Sequence, residues 1–312
     1  MKRSVCIILC VVFILLCFSG CNKQAEETGK IKIVTTVFPP FDFARAIAGD
    51  KAQVIQLVRA GSESHAFEPT PDDIRAAEDC DLFLCIGGEG ESWAQRLMDS
   101  SNNSSRKTVI LSEYVSLLEA GSSEHHSDKH SHKGHTHEHD EHIWTSPLNA
   151  VKMSEAIYEA ICEVDSKNAD YYKNNLDTLV ASFYDLDKNL RALSQKQEKK
   201  PLIFGDRFPF LYLTVEYGFE YMAAFPGCNE QTEPDIKTLD RLIEHIKENG
   251  INTVFYTEFS NAKTANMLCE ETGAVPLMLH SCHNVTKEEK EKGVTYVSLM
   301  NENIKKLKIA IG

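Results

Sequence analysis

Five side chains able to bind a proton or a metal ion fall just past the ends of apolar runs in this sequence. They are His65 in "RAGSESHAFEPTPDD", Asp206 in "GDRFPF", Glu258 after "INTVFYT", and His280 and His283 in "LMLHSCHN". A sixth, His142, closes residues 124–142, where eight histidines occupy nineteen positions: His125, His126, His130, His132, His135, His137, His139 and His142. Imidazoles and carboxylates converging on one point would suit a divalent transition metal. Singly, each residue carries little weight. A lone loop histidine is more often a surface residue or a helix cap than a ligand. Glu258 reads equally as an ion-pair partner, and Asp206 with Arg207 as a structural pair.

The elements that must position these groups alternate along the chain. Buried-strand runs occur at 32–38, 52–58, 82–87 and 107–112, each followed by a helical or turn segment. From 147 the pattern turns helical, with a serine cap and a proline at the first helical position. Residues 168–197 then run without glycine or proline, enough for a helix of about 45 Å at ~1.5 Å per residue; two ordinary helices broken near Asp165 are the other reading. A second alternation follows, with strands at 200–205, 219–225, 251–258 and 274–279. The economical architecture is α/β: two α/β lobes with parallel-type sheets joined by one long bridging helix. It divides as a lobe over 31–146, a helical region over 147–199 and a lobe over 200–312. In open parallel sheets ligands sit beyond the carboxyl ends of the strands, where the candidate side chains lie.

At the N-terminus, Lys2 and Arg3 precede the apolar run "VCIILCVVFILLCF" and the small-residue approach to Cys21, the pattern of a secretory signal over 1–20. It looks like a bacterial lipoprotein signal, which implies a diacylglyceryl thioether on Cys21. An uncleaved anchor is disfavoured because spanning helices usually need ~20 apolar residues. Residues 21–30 read as a polar tether. Loss of Lys2 and Arg3 takes the formal charge from −13 to −15, which argues against a nucleic-acid partner and suits a cation. Six cysteines remain beyond Cys21, without a CxxC pair, so a thiolate zinc cluster is not expected. Cys80, Cys85, Cys162 and Cys269 sit in apolar segments as small core residues.

"GSESHAFEPTPDD", "DEHIWTSPLNA", "KTLDRLIEHIKENGINTVFYTE" and "VTYVSLMNENIKKL" together resemble the substrate-binding lipoproteins of bacterial zinc and manganese ABC importers, over essentially the whole chain after the signal. The resemblance implies two lobes bridged by a long helix, a metal between them, and His65 and His142 as ligands. Gly205 stands where many zinc members place a third histidine, and His280 aligns with the family's usual aspartate. The expected set is therefore His65, His142 and His280, with Asp206, Glu258 or water completing the shell and His283 as the competing assignment. Three imidazoles favour Zn(II) over Mn(II) as cargo. Cys228 and Cys282 are expected to form a disulfide, two free thiols being the alternative. The other seven histidines of the run read as a loose metal reservoir in a segment too polar to fold alone.

The expected protein is a monomer on the outer face of the cell membrane, held there by its lipid, that hands Zn(II) to an ABC permease without catalysis. Receptors for manganese or iron, a zinc hydrolase using Glu258 or Asp206 as general base, and an adhesin with a structural metal are the competing classes. The hydrolase lacks an HExxH motif.

Overall fold

The first apolar runs become β1 (Ile31–Thr35), α1 (Phe38–Ala48), β2 (Ala52–Gln56), α2 (Pro71–Glu78), β3 (Leu82–Cys85), α3 (Ser92–Ser100) and β4 (Lys107–Ile110). The computed structural model describes residues 29–64, 67–101, 103, 105–120, 139–196, 200–225 and 234–312. The signal with Cys21, His65, the histidines from His125 to His137, and Cys228 lie outside the described residues.

The four strands pair in parallel in the order β2-β1-β3-β4. All four residues of β3 are buried, as expected for a strand covered on both faces. Two helices follow, α4 (Pro147–Val164) and α5 (Ala169–Ser194). The second half repeats the alternation with β5 (Leu202–Phe204), α6 (Leu211–Tyr217), β6 (Tyr221–Ala223), α7 (Ile236–Asn249), β7 (Thr253–Tyr256), α8 (Lys263–Thr272) and β8 (Val275–Met278). It ends with α9 (Lys287–Glu291) and α10 (Tyr296–Ile311). Its parallel order, β6-β5-β7-β8, repeats that of the first sheet. Each sheet therefore has a switch point, between β1 and β3 and between β5 and β7, where the connections diverge and leave a crevice. Ile31–Gly312 forms one unit.

Local chemistry fixes the helix ends. Ser146 accepts a hydrogen bond from the Asn149 amide with Pro147 at the first turn of α4. A Thr70–Asp73 capping box starts α2. Asp235 caps α7, which stops at Gly250 in the left-handed region (φ 58°).

The long glycine-free stretch forms one 26-residue helix, α5, about 39 Å long at 1.5 Å per residue. It is separate from α4. The break is built by Asp165, whose Oδ2 accepts from Tyr172 Oη (2.5 Å) and Asn168 Nδ2 (2.7 Å). Tyr172, Leu176, Phe183, Leu186, Leu190 and Leu193 make the buried stripe of α5. Phe183 meets Phe43 of α1 and Tyr296 of α10 with ring centroids 5.2 and 5.5 Å apart, so α5 is packed onto the N-terminal lobe and the last helix at once. Burying one such ring contributes roughly 1.5–3 kcal/mol. Cys80, Cys85 and Cys269 are buried free thiols and Cys162 a half-buried one; burial pushes the Cys80 thiol up to about 11.

Candidate metal centre

The carboxyl ends of the strands in both lobes border a cavity of about 50 Å³ whose walls include Ser64, His142, Arg207, Glu258, Ser281 and His283. His142 comes from the turn just before α4 and is 3% exposed. Asp140 Oδ1 lies 3.1 Å from its Nδ1 and 2.8 Å from its backbone N. A carboxylate only accepts, so Nδ1 carries the proton and Nε2 keeps the lone pair a metal needs. Asp140, which fixes the orientation of His142, is passed over by reading the histidines alone; its signal is the Asp-x-His spacing.

His283 stands edge-on to His142, with ring centroids 5.3 Å apart and an interplanar angle of 89°. Its Nδ1 is 3.2 Å from Ser64 Oγ. Glu258, at the end of β7, has a side chain 6% exposed. Its Oε2 accepts from the Ser281 amide at 2.7 Å, and its Oε1 from the Ser281 hydroxyl. The next residue, Phe259, has a left-handed backbone (φ 61°), uncommon for a bulky side chain. Among the described residues no three His, Cys, Asp or Glu side chains cluster tightly enough to hold a metal ion, so the described walls are not by themselves a closed coordination shell. His65 lies outside the described residues, next in the chain to Ser64.

His280 is placed elsewhere. Its Nδ1 accepts from the Cys282 amide at 2.9 Å, and Asn303 of α10 grips its backbone N (2.8 Å) and O (2.7 Å). The ring points its Nε2 toward Glu289, 3.7 Å away, and this imidazole, with the Thr286 amide and hydroxyl, holds the Glu289 carboxyl down at about 2. The chain then turns at Cys282 (φ 62°) and brings His283 back to the cavity. Asp206 does not line the cavity either: its Oδ2 accepts from Thr257 N (3.0 Å) and Oγ1 (2.9 Å), and its Oδ1 from Arg207 N (2.8 Å), tying the end of β5 to the end of β7. Arg207 itself faces Glu63 across the cavity at 3.8 Å.

The expected Cys228–Cys282 disulfide needs correction. Cys282 is a free thiol with no exposed surface; its Sγ donates to His280 O at 3.8 Å, and burial pushes the thiol well above its ordinary range. Of the histidine run, His139 is described and pairs with Glu119 in an isolated antiparallel bridge at the base of the loop.

Beside His142, Glu141 is packed so closely on Gly90 that a Cβ there would lie 2.3 Å from both carboxylate oxygens. Glu91, 5% exposed, accepts through Oε2 from the Ile86 (2.7 Å) and Gly87 (3.0 Å) amides at the end of β3. Burial pushes its carboxyl up from 4.5 to about 7, the repulsion of Glu141 adding to the rise and hydrogen bonds from Thr36, Gly87 and Ile86 opposing it. Between those two pH values the folded protein holds a proton that the unfolded chain has lost, so Glu91 makes stability fall as pH rises through this window. Glu91→Gln should therefore gain on the wild type from pH 5 to pH 8, by on the order of 3 kcal/mol, in urea unfolding of the metal-free protein. A constant difference across that range would mean that Glu91 is ionised throughout.

Residues 33–310 match the family described as zinc-uptake complex component A, periplasmic (ZnuA). The chain is 31% identical over 301 residues to the zinc-binding lipoprotein AdcA of Streptococcus pneumoniae (strain ATCC BAA-255 / R6), a match covering 96% of this chain and 59% of AdcA. It therefore spans less than two thirds of that relative's length. To the high-affinity zinc uptake system protein ZnuA of Bacillus subtilis (strain 168) it is 32% identical over 301 residues, covering 96% of this chain and 94% of that one. In structure it is similar to the Zn(II)-bound ZnuA-like domain of Streptococcus pneumoniae AdcA, with a TM-score of 0.75 at 28% identity over 91% of this chain and 99% of that domain. With two parallel-sheet lobes, a bridging helix, and imidazole and carboxylate groups meeting between the lobes, the chain belongs to the ZnuA family of periplasmic zinc-uptake components.

Proposed function

We propose that this protein is an extracytoplasmic receptor that takes up Zn(II) between its lobes and delivers it to the membrane permease of an ABC importer. The observation that carries this reading is the pairing of two imidazoles, one of them oriented by Asp140, with Glu258 in one small cavity. The ligands in this reading are His142 through Nε2, His283, Glu258 and His65, whose neighbour Ser64 is already on the cavity wall. Three imidazoles and one carboxylate form a tetrahedral donor set suited to zinc, whereas manganese prefers oxygen. Its relatives named for zinc uptake support the same cargo.

A cavity of about 50 Å³ takes an ion and little else, far from the ~300–1,000 Å³ of small-molecule sites. This supports binding without catalysis, against the hydrolase reading. Cys21 carries the lipid that holds the receptor, as a monomer, at the outer face of the cell membrane, and the run from His125 to His139 is a reservoir of weakly held ions beside the tight site.

The deciding experiment is competition titration of the demetallated protein lacking residues 121–138 with Zn(II) and with Mn(II). That deletion spares Asp140, on which His142 depends. One Zn(II) should bind tightly, and far better than Mn(II). Disappearance of tight binding with the loop would move the receptor site into the histidine run.

A further inference from the structure

Residues 281–285, "SCHNV", leave the C-terminal lobe after β8, yet their hydrogen bonds go largely to the N-terminal lobe. Phe38 N donates to His283 O (3.2 Å) and Gly61 N to Val285 O (2.7 Å), and Trp144 Nε1 donates to Ser281 O (2.8 Å). At the centre is Asn284, 2% exposed. Its Nδ2 donates to the carbonyls of Arg59 (2.8 Å) and Ser62 (2.9 Å), and its Oδ1 accepts from Gln56 Nε2 (2.9 Å) and Val285 N (2.9 Å). One side chain thus closes the loop after β2, which reaches the cavity at Ser64, and fixes the segment that carries His283.

We propose that Asn284 is a positioning residue for metal binding: it docks the His283 segment onto the N-terminal lobe, so that His283 and His142 are held as one preformed platform. This rests on the reading of His283 as a ligand. Every hydrogen-bonding position of the Asn284 amide is used, two as donor and two as acceptor, which is the pattern of a buried polar group that specifies one geometry. Aspartate keeps the shape and the acceptors but turns the donor side into a second oxygen facing two carbonyls, which frees the Arg59–Ser62 loop. The Arg207–Glu63 pair across the cavity is exposed and long, and exposed pairs of this kind hold little; the buried amide is the stronger fixing point.

The test uses Asn284→Asp and Gln56→Ala in the full chain, read by the zinc dissociation rate, the visible ligand-field bands of the Co(II)-loaded protein, and the melting temperature without metal. Asn284→Asp should speed zinc release about 10–100-fold, the range seen when groups behind metal ligands are removed, and should shift the Co(II) bands. Gln56→Ala, which loses one of the four bonds, should speed release several-fold with its melting temperature nearly unchanged, and it carries the test if Asn284→Asp does not fold. Wild-type release rates and Co(II) bands in the folded variants would overturn the positioning role. His283→Ala separates the two readings: if it too leaves zinc affinity unchanged, the ligand assignment has failed, whereas loss of affinity there with unaltered Asn284→Asp defeats the positioning role alone.

Discussion

Replacing His283 by alanine is expected to weaken Zn(II) binding by more than about a hundredfold, beyond the ~10–100-fold typical of groups behind the ligands, while His280→Ala leaves affinity within a few-fold. The two histidines are three residues apart and chemically identical, so the difference is one of environment. His283 lies edge-on to His142 on the cavity wall. His280 is 2% exposed and is engaged within the C-terminal lobe by the Cys282 amide and Glu289. Removing it leaves a buried N–H without an acceptor and Glu289 without its neighbour, a loss of about 1–3 kcal/mol that appears as a lower melting temperature. Titration against a chromogenic chelator at fixed pH, with calorimetric unfolding of the same samples, separates the two effects. The reverse order of affinities would reinstate His280 as the ligand.

Gly205→Ala is expected to destabilise the protein by about 2–3 kcal/mol, a fall of roughly 3–5 °C in melting temperature. A Cβ on Gly205 would lie 2.6 Å from the Cα of Ala265 and 2.9 Å from its backbone N and its Cβ. Those are mostly backbone atoms in the first turn of α8, and the Gly205 amide is itself bonded to Phe255 O at 2.8 Å, so neither side yields by rotating a side chain. Gly205→His, which would restore the imidazole common in zinc members of the family, should destabilise further and gain no zinc affinity. Differential scanning calorimetry with and without zinc checks both. A melting temperature within 1–2 °C of wild type would mean that α8 shifts freely and that the family's usual ligand geometry remains available to this chain.

Much of the fold is legible in the sequence. The strand runs are short, largely apolar and bounded by turn residues, and eight of them reappear within a few residues of their expected limits. α5 declared itself by thirty residues without glycine or proline, and the position of His142 by its place where the histidine run meets a capped helix. That His283 rather than His280 lines the cavity was not legible. In an irregular loop no periodicity tells which of two nearby histidines faces inward, and the choice is made by a left-handed turn at Cys282 and a clamp from Asn303, 23 residues further on. The placement of Asp206 was hidden for a related reason: a carboxylate at a strand end serves either a metal or the amides of a neighbouring strand end, and only the distances to Thr257 show which partners it has here. The Cys282 thiol was equally undecidable, because pairing depends on where a cysteine's side chain points and not on its compartment alone.

The common strand order of the two sheets makes the molecule two copies of one winding, each copy ending in a crevice. In the proposed reading neither crevice is a receptor in isolation: the first half brings His142 and the orienting Asp140, the second brings Glu258 and the chain of His283. On that reading, recognition of the ion is a property of the seam between two similar halves. Mutations that leave each half intact but spoil their mating would give a well-folded protein that no longer recognises its ion.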